Sequence, residues 1–389
     1  MTRVTVHEYA AGLRPRYRRA TKGVKKRILD EFCQTTGMHR KAAIRLLGRP
    51  SRPAPLRRGR PRRYGPEVAQ ALVKLWVVGD RMCGKLLAAV MPDLLSALER
   101  HGELKVSPEV RELLLTVSPS TIDRLLHRQR LPRLRQPRRQ SPGMTTLKSQ
   151  IPIRTWSEWK GAQPGSLQAD LVLHCGESLE GLFLTTLCTV DVALGWTELR
   201  PVWGTGQQRV GGAMHDIRRR LPFPVRALHT DNGSEFINRT LYSWCQRQGI
   251  QFTRGRSYHK NDQAYVEERN WLSVRRQVGY DRYSSQKAFE LLHQLYPLLS
   301  VHNNFFRPVR KLVGKQRLGS KVVKRYDEPR TPYQRLLAAG VLSEPAQAAL
   351  EKRFLALNPA ELQRRIDQLL RQLWESAERP TTTGVKTVG

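Results

Sequence analysis

Acidic residues are scarce in this sequence. Its 33 Asp and Glu stand against 68 Lys and Arg, giving a formal net charge of +35 and a pI near 10.9. A deficit of that size points to a polyanionic partner, nucleic acid above all. It is also uneven, because residues 1–150 hold about half of the basic residues but only a third of the acidic ones, which makes the front of the chain the main electrostatic foot on DNA. Cysteine is nearly as sparse: Cys33, Cys83, Cys175, Cys188 and Cys245 are scattered, odd in number and without a CxxC pair. That excludes a disulfide framework and a zinc knuckle, and it fits a reducing compartment. No apolar run approaches the ~20 residues that a membrane helix needs, and no secretory leader pattern is visible, so no membrane partner is expected.

Against this background the acids that sit inside apolar stretches stand out. Residues 225–228 form an apolar run that leads into Asp231 within His229-Thr-Asp-Asn-Gly-Ser-Glu-Phe236. This reads as a strand ending in a tight turn, with Asn232 and Gly233 able to take positive φ. A carboxylate at such a strand end faces the crevice where α/β sheets bind ligands. Glu267 lies in a helical segment, Lys260-Asn-Asp-Gln-Ala-Tyr-Val-Glu-Glu-Arg-Asn270, with thirty-five residues between it and Asp231. It shares a stripe with Ala264, Trp271, Val274 and Val278, which predicts an inward-facing Glu267, with Glu268 turned to solvent or DNA. Asp170 is the lone acid of an apolar strand pattern at 166–174. Three hard oxygen donors from a strand, a strand end and a helix suit two Mg²⁺ ions. Two such ions ~3.5–4 Å apart activate an attacking oxygen and stabilise a leaving one in phosphodiester chemistry.

Asp170, Asp231 and Glu267, with that spacing and those two strings, resemble the D,D(35)E catalytic core of retroviral integrases and bacterial insertion-sequence transposases. The resemblance covers roughly residues 150–285, and more weakly the flanks. It implies a ribonuclease-H-like α/β core, with Asp170 and Asp231 on neighbouring strands and Glu267 closing over them. It also implies two Mg²⁺ ions as cofactor, replaceable by Mn²⁺, held by Asp170, Asp231 and Glu267. Some integrases begin with a His-His-Cys-Cys zinc module; only His7, Cys33 and His39 stand near the start here, which is not that pattern.

The domain organisation expected is a helix-turn-helix unit at 1–50, a basic AT-hook-like linker at 51–65 and a second helical DNA-binding unit at 66–130. A basic linker at 131–150 follows, then the catalytic core at 151–285. A basic region with an amphipathic helix occupies 286–379, and a disordered tail fills 380–389. In the first unit, helix, Gly-containing turn and basic helix place Arg40, Lys41 and Arg45 on DNA. Arg58, Arg60 and Arg62 sit in an Arg-Gly-Arg-Pro context that suits a narrow minor groove. The second unit reads as helices at 66–78, 84–90, 92–100 and 108–115. It closes on a helix capped by Ser118, from which Thr121 and Arg124 would face a groove.

Core strands are expected at 167–173, 182–192, 197–203, 225–230 and 250–254, with helices at 207–220, 236–248 and 262–278. Lys260 and Asn261, in a mobile basic loop, are the expected contacts near the scissile phosphate, with Arg269, Arg275 and Arg276 along the outside of the helix. Asp191 is the rival acid. Cys175, Cys188, His174, His229 and His259 fit no zinc spacing. Lys311 belongs to a basic, β-rich or extended segment at 303–326 that reads as a nonspecific DNA-holding module. The final helix carries Leu362, Ile366, Leu369 or Leu370, and Leu373 on one side, a stripe for its own domain or for a second subunit.

The expected function is therefore a DNA transposase. It would bind the terminal repeats of a mobile element, cut at the 3′ end and join that end to target DNA. Its partners are double-stranded DNA and further copies of the chain, at least two, since two ends are handled together. Its place is the cytoplasm, on the nucleoid of a bacterial cell. The alternatives are a DNA-binding regulator with an inactive integrase-like core, and a ribonuclease-H-type nuclease.

Overall fold

The computed structural model describes residues 2–48, 63–129, 151–152, 161–256 and 260–378. The AT-hook arginines Arg58, Arg60 and Arg62, residues 131–150, His259 and the 380–389 tail lie outside them. The chain divides into two units, Met1–Arg63 and Tyr64–Gly389.

The first unit is three helices. Thr2 caps α1 (Arg3–Arg19), a 17-residue helix. Helix α2 (Lys22–Thr36) stops at Gly37, whose φ of 69° is left-handed backbone that glycine adopts without a Cβ clash. Helix α3 (Arg40–Gly48) follows after a short turn. Ile28 and Phe32 of the expected stripe pack with Val6, Ala10, Tyr17, Ala43 and Leu47 into one small core. Lys41 and Arg45 are exposed on α3, and Arg40 pairs with Asp30 of α2.

The second unit starts with α4 (Pro66–Val78), α5 (Gly84–Arg100), α6 (Pro108–Thr116) and α7 (Pro119–Leu125). Helix α5 runs unbroken through Pro92, where the sequence suggested a break. A proline inside a helix removes one hydrogen bond, and the buried Met91, Leu94, Leu95 and Leu98 around it outweigh that loss. Ser118 caps α7 as expected. The Asp123 carboxylate of α7 in turn accepts from the Gly84 amide, 2.8 Å away, at the start of α5. Only glycine fits there, since a Cβ would lie 2.3 Å from the Pro119 carbonyl oxygen.

The sheet has the order β3-β2-β1-β4-β5. Strands β1 (Ser166–Leu173), β2 (Leu184–Asp191) and β3 (Thr197–Trp203) form an antiparallel meander. After α8 (Gln207–Arg220), strand β4 (Ala227–Thr230) pairs parallel with β1, and after α9 (Arg239–Arg247), β5 (Gln251–Arg254) pairs parallel with β4. This is the mixed α/β sheet that three strands followed by alternating helices and strands predicted. Helix α9 starts three residues later than expected because Asn238 caps it, accepting from the Leu241 amide at 2.8 Å.

The segment 264–278 is composite: α10 (Ala264–Arg269), a π-helical turn over Asn270–Arg275, and α11 (Arg276–Val278). Then come α12 (Gln286–Phe306), a hairpin of β6 (Leu312–Leu318) and β7 (Lys321–Tyr326), α13 (Pro332–Ala338), α14 (Glu344–Ala356) and α15 (Pro359–Glu375). Residues 303–306, expected in the extended segment, end helix α12 instead. Leu362, Ile366, Leu369, Leu370 and Leu373 of α15 are buried within this unit.

Helices α4 to α7 do not form a separate body, as the expectation of a second DNA-binding unit implied. Their apolar residues belong to one continuous core with the sheet and the C-terminal helices. The tie is Asp80, in the α4–α5 turn with φ 53°. Its carboxylate receives Arg276 of α11 at 2.7 Å and Arg307 beyond α12, and His302 donates to the Val78 carbonyl at 2.9 Å. Replacing one partner of a buried ion pair costs about 3–5 kcal/mol because the remaining charge stays dehydrated. Asp80→Asn, which keeps the side chain's tolerance of left-handed backbone, is expected to lower the unfolding free energy by that order, read as a lower urea midpoint by circular dichroism. An unchanged midpoint would remove Asp80 as the tie.

Candidate active site

Strand pairing brings two of the three acids together. Ala169 of β1 lies opposite Thr230 of β4 in a parallel ladder, so Asp170, within β1, stands at the level of Asp231, which follows the last residue of β4. The turn after β4 is held by side chains. Asp231 Oδ1 accepts from the Gly233 amide at 2.9 Å, Asn232 Nδ2 donates to the Gly255 carbonyl at 2.9 Å, and Arg254 Nη1 donates to Asn232 Oδ1 at 3.1 Å. Neither Asn232 nor Gly233 takes positive φ. The Asp231 carboxylate makes the turn by accepting the amide two residues on, which removes the need for left-handed backbone.

The segment carrying Glu267 is pinned to β1 by Gln168, which donates from Nε2 to the Asp262 carbonyl at 3.0 Å and accepts the Val266 amide at 3.2 Å. Burial pushes the Asp170 carboxyl up, the neighbouring Asp231 charge adds to it, and the more distant Glu267 charge adds again; it settles at about 8, although the Leu171 amide and Asn270 pull it down. Asp170 therefore senses the charges of both Asp231 and Glu267. Burial, with Asp231 close by, also raises Glu235.

Glu267 does not face inward as the stripe predicted. It is exposed, as is Glu268, while Val266, Arg269, Ser273, Val274 and Val278 are buried and Trp271 keeps 49% of its surface. The π-helical turn explains the difference. Its wider winding shifts the register between residues 267 and 274, so a stripe counted at 3.6 residues per turn no longer holds.

The same turn presents Asn270, which sequence reasoning missed. Its Nδ2 donates to Asp170 Oδ2 at 2.6 Å, while its buried Oδ1 has no protein partner. The signal available was its position three residues after Glu267 in the same string, hence on the same helical face.

Several expected DNA contacts serve the fold instead. Arg275 donates to the Leu173 carbonyl at 2.8 Å and lies 4.6 Å over the Tyr280 ring. Arg269, expected outside, is buried, and Arg276 is held by Asp80. Lys311 reaches inward, donating to the Val192 carbonyl at 2.8 Å and to that of Ala193; burial draws its ammonium down to about 8. Arg275, Arg276 and Lys311 each find a carbonyl, ring or carboxylate that a local pattern cannot reveal.

Arg124 is exposed on α7, whereas Thr121 is half-buried and accepts from the Ser118 hydroxyl at 3.0 Å. Lys260 and Asn261 begin the 3₁₀ turn Lys260–Gln263. Asp191 is fully buried away from the trio, accepting from the Gly165 and Leu194 amides at 2.7 Å each. Burial raises it to about 7, and it staples the β2–β3 turn as a structural acid.

Among the described residues no three His, Cys, Asp or Glu side chains close on one point as a formed metal cage. The donor chemistry nevertheless fits a hard cation: the trio is all carboxylate, and Asp170 is raised by burial first and then by the like charges of Asp231 and Glu267.

No family model matches the chain. It is 43% identical over 320 residues to the uncharacterized protein y4rM of Sinorhizobium fredii, an alignment spanning 82% of this chain and 91% of that protein. The catalytic core domain of BIV integrase superposes with a TM-score of 0.30 at 18% identity, covering 46% of this chain and 96% of that one. A superposition that loose carries no argument, and the fold rests on the strand order given above.

Asp170 also yields a pH dependence. A carboxyl raised from 3.8 to about 8 binds its proton more tightly folded than unfolded, so its ionisation costs stability increasingly between those two values. Asp170→Asn is expected to raise the melting temperature of the metal-free protein at pH 8, with the gain shrinking to nothing as pH falls to about 4. An equal gain at both ends of that range would show that the trio does not repel.

Proposed function

We propose that the chain, which belongs to the family of the uncharacterized protein y4rM of Sinorhizobium fredii, is a DNA transposase with a ribonuclease-H-like core. The observation that supports this most is the strand register that sets Asp170 beside Asp231, together with the charge of Glu267 acting on the same carboxyl. Asp191, another buried strand acid, is raised by burial alone, whereas Asp170 also carries the like charges of Asp231 and Glu267, a pattern that marks functional sites.

Asp170, Asp231 and Glu267 would hold two Mg²⁺ ions, with Mn²⁺ able to substitute. When bound, the ions lower the pKa of an attacking water or 3′-hydroxyl and neutralise charge on the leaving oxygen. The chain's own residues set the stage for that chemistry. Asn270 fixes the rotamer of Asp170 through its 2.6 Å donor bond. Gln168 ties the start of α10 to β1, which fixes how far Glu267 stands from the strand acids. In this reading the first unit, with Lys41 and Arg45 exposed on α3, is a helix-turn-helix reader of the element's terminal repeat. Arg58, Arg60 and Arg62 strap the adjoining minor groove, and Arg124, Lys260 and Asn261 contact backbone nearer the cut. The protein would work on the bacterial nucleoid. Joining two ends to one target requires at least two copies of the chain.

Glu267→Gln tests the reading. The exposed side chain is isosteric, so folding and binding to end DNA should be preserved within about twofold, while Mg²⁺-dependent 3′-end cleavage and strand transfer fall by about 10³-fold or more. Cleavage retained at the parental rate would remove the two-metal reading and leave a DNA-binding protein with an inert core.

A further inference from the structure

The hairpin of β6 and β7 is exposed on both faces: every residue of β7 and most of β6 meet solvent. A two-stranded ribbon on its own is marginal in water, and the composition of this one adds to the difficulty. Between Leu312 and Tyr326 it carries Lys315, Arg317, Lys321, Lys324 and Arg325 and no acid. Lys315 stands directly opposite Lys324 in the ladder, and like charges so placed repel. Val313 keeps 65% of its surface exposed, Leu318 57%, Val322 46% and Val323 44%.

The base of the ribbon, by contrast, is firmly anchored. The Lys311 amide donates to Asp327 Oδ1 at 2.6 Å and the Asp327 amide returns a bond to the Lys311 carbonyl at 2.9 Å. Arg335 pairs with Asp327 at 2.7 Å, and Arg310 lies 4.6 Å over the Tyr326 ring. An anchored base, an uncovered blade and charge of one sign describe a part shaped for a partner.

The register says which kind of partner. Side chains alternate between faces along a strand, so Lys315, Arg317 and Lys324 project from one face and Lys321 and Arg325 from the other. A lipid surface touches one face only. Cations on both faces suit a partner that surrounds the ribbon, with anions on two walls and an apolar floor. The major groove of B-form DNA, about 12 Å wide, admits a two-stranded ribbon between two rows of phosphates and offers thymine methyl groups at its floor.

We propose that the β6–β7 hairpin inserts into the major groove of duplex DNA, one face carrying Lys315, Arg317 and Lys324 to one row of phosphates and the other carrying Lys321 and Arg325 to the opposite row, with exposed apolar residues between the cations on both faces. This role shares with the proposed function only the premise that the partner is DNA. It needs neither the acids nor a metal.

The test is equilibrium binding of the full chain to a fluorescent duplex in EDTA across a NaCl titration, where no cleavage takes place. The double variant Lys315→Gln/Lys324→Gln should bind more weakly by about tenfold or more, with a log–log salt slope shallower by about two, one for each phosphate that is no longer neutralised. Lys315→Arg/Lys324→Arg should keep both affinity and slope. Methylation of guanine N7, which lies in the major groove, should weaken the parent chain's binding but leave the double-Gln variant nearly unaffected. Unchanged affinity and slope in the double-Gln variant would overturn the proposal. So would an equal loss on single-stranded DNA, which has no groove, or a loss confined to phosphatidylserine vesicles. Because binding is read without turnover, an inactive but tightly binding chain would count against the catalytic reading alone.

Discussion

The parallel pairing of β1 with β4 sets the Asp170 and Asp231 carboxylates at one level, where β4 ends and β1 runs on, and the cost of that proximity shapes what surrounds them. Burial and like charge hold a proton on Asp170 up to about pH 8. The donors within reach, the Leu171 amide and Asn270, offset only part of the penalty. Asp191, by contrast, receives two amides and is raised by burial alone, with no second acid acting on it.

The neighbouring structure keeps that arrangement rigid. Gln168, one turn of pleat before Asp170 on the same face, spans from β1 to the start of α10. At the far end of the same segment Arg276 is locked to Asp80, and Arg307 joins it from beyond α12. Helices α4 to α7 are thereby part of the scaffold that holds the segment carrying Glu267.

The fold was legible to the extent that its signals were local. The meander of β1 to β3, the alternation that follows and the Ser118 cap come from hydrophobic runs and capping chemistry within a few residues. The same reasoning failed where one turn departed from the standard period. Trp271 counted as core at 3.6 residues per turn and is half-exposed, because the π-helical turn rotates it out and brings Asn270 onto Asp170. It failed again with cations. Arg269, Arg275, Arg276 and Lys311 read as a DNA-facing set, yet each is drawn into the protein's own interior.

The sequence by itself determined the large positive charge, the acids that stand inside apolar stretches and the order of elements, because residue type, net charge and periodicity are properties of the chain read locally. The tertiary structure decided what those residues face. It showed that Asp170 and Asp231 share a level, that Glu267 is exposed while its charge still reaches Asp170, that four helices and the sheet share one core, and that the basic ribbon of β6 and β7 stands uncovered. These facts depend on strand register, helical winding and partners distant along the chain, and no local pattern encodes them.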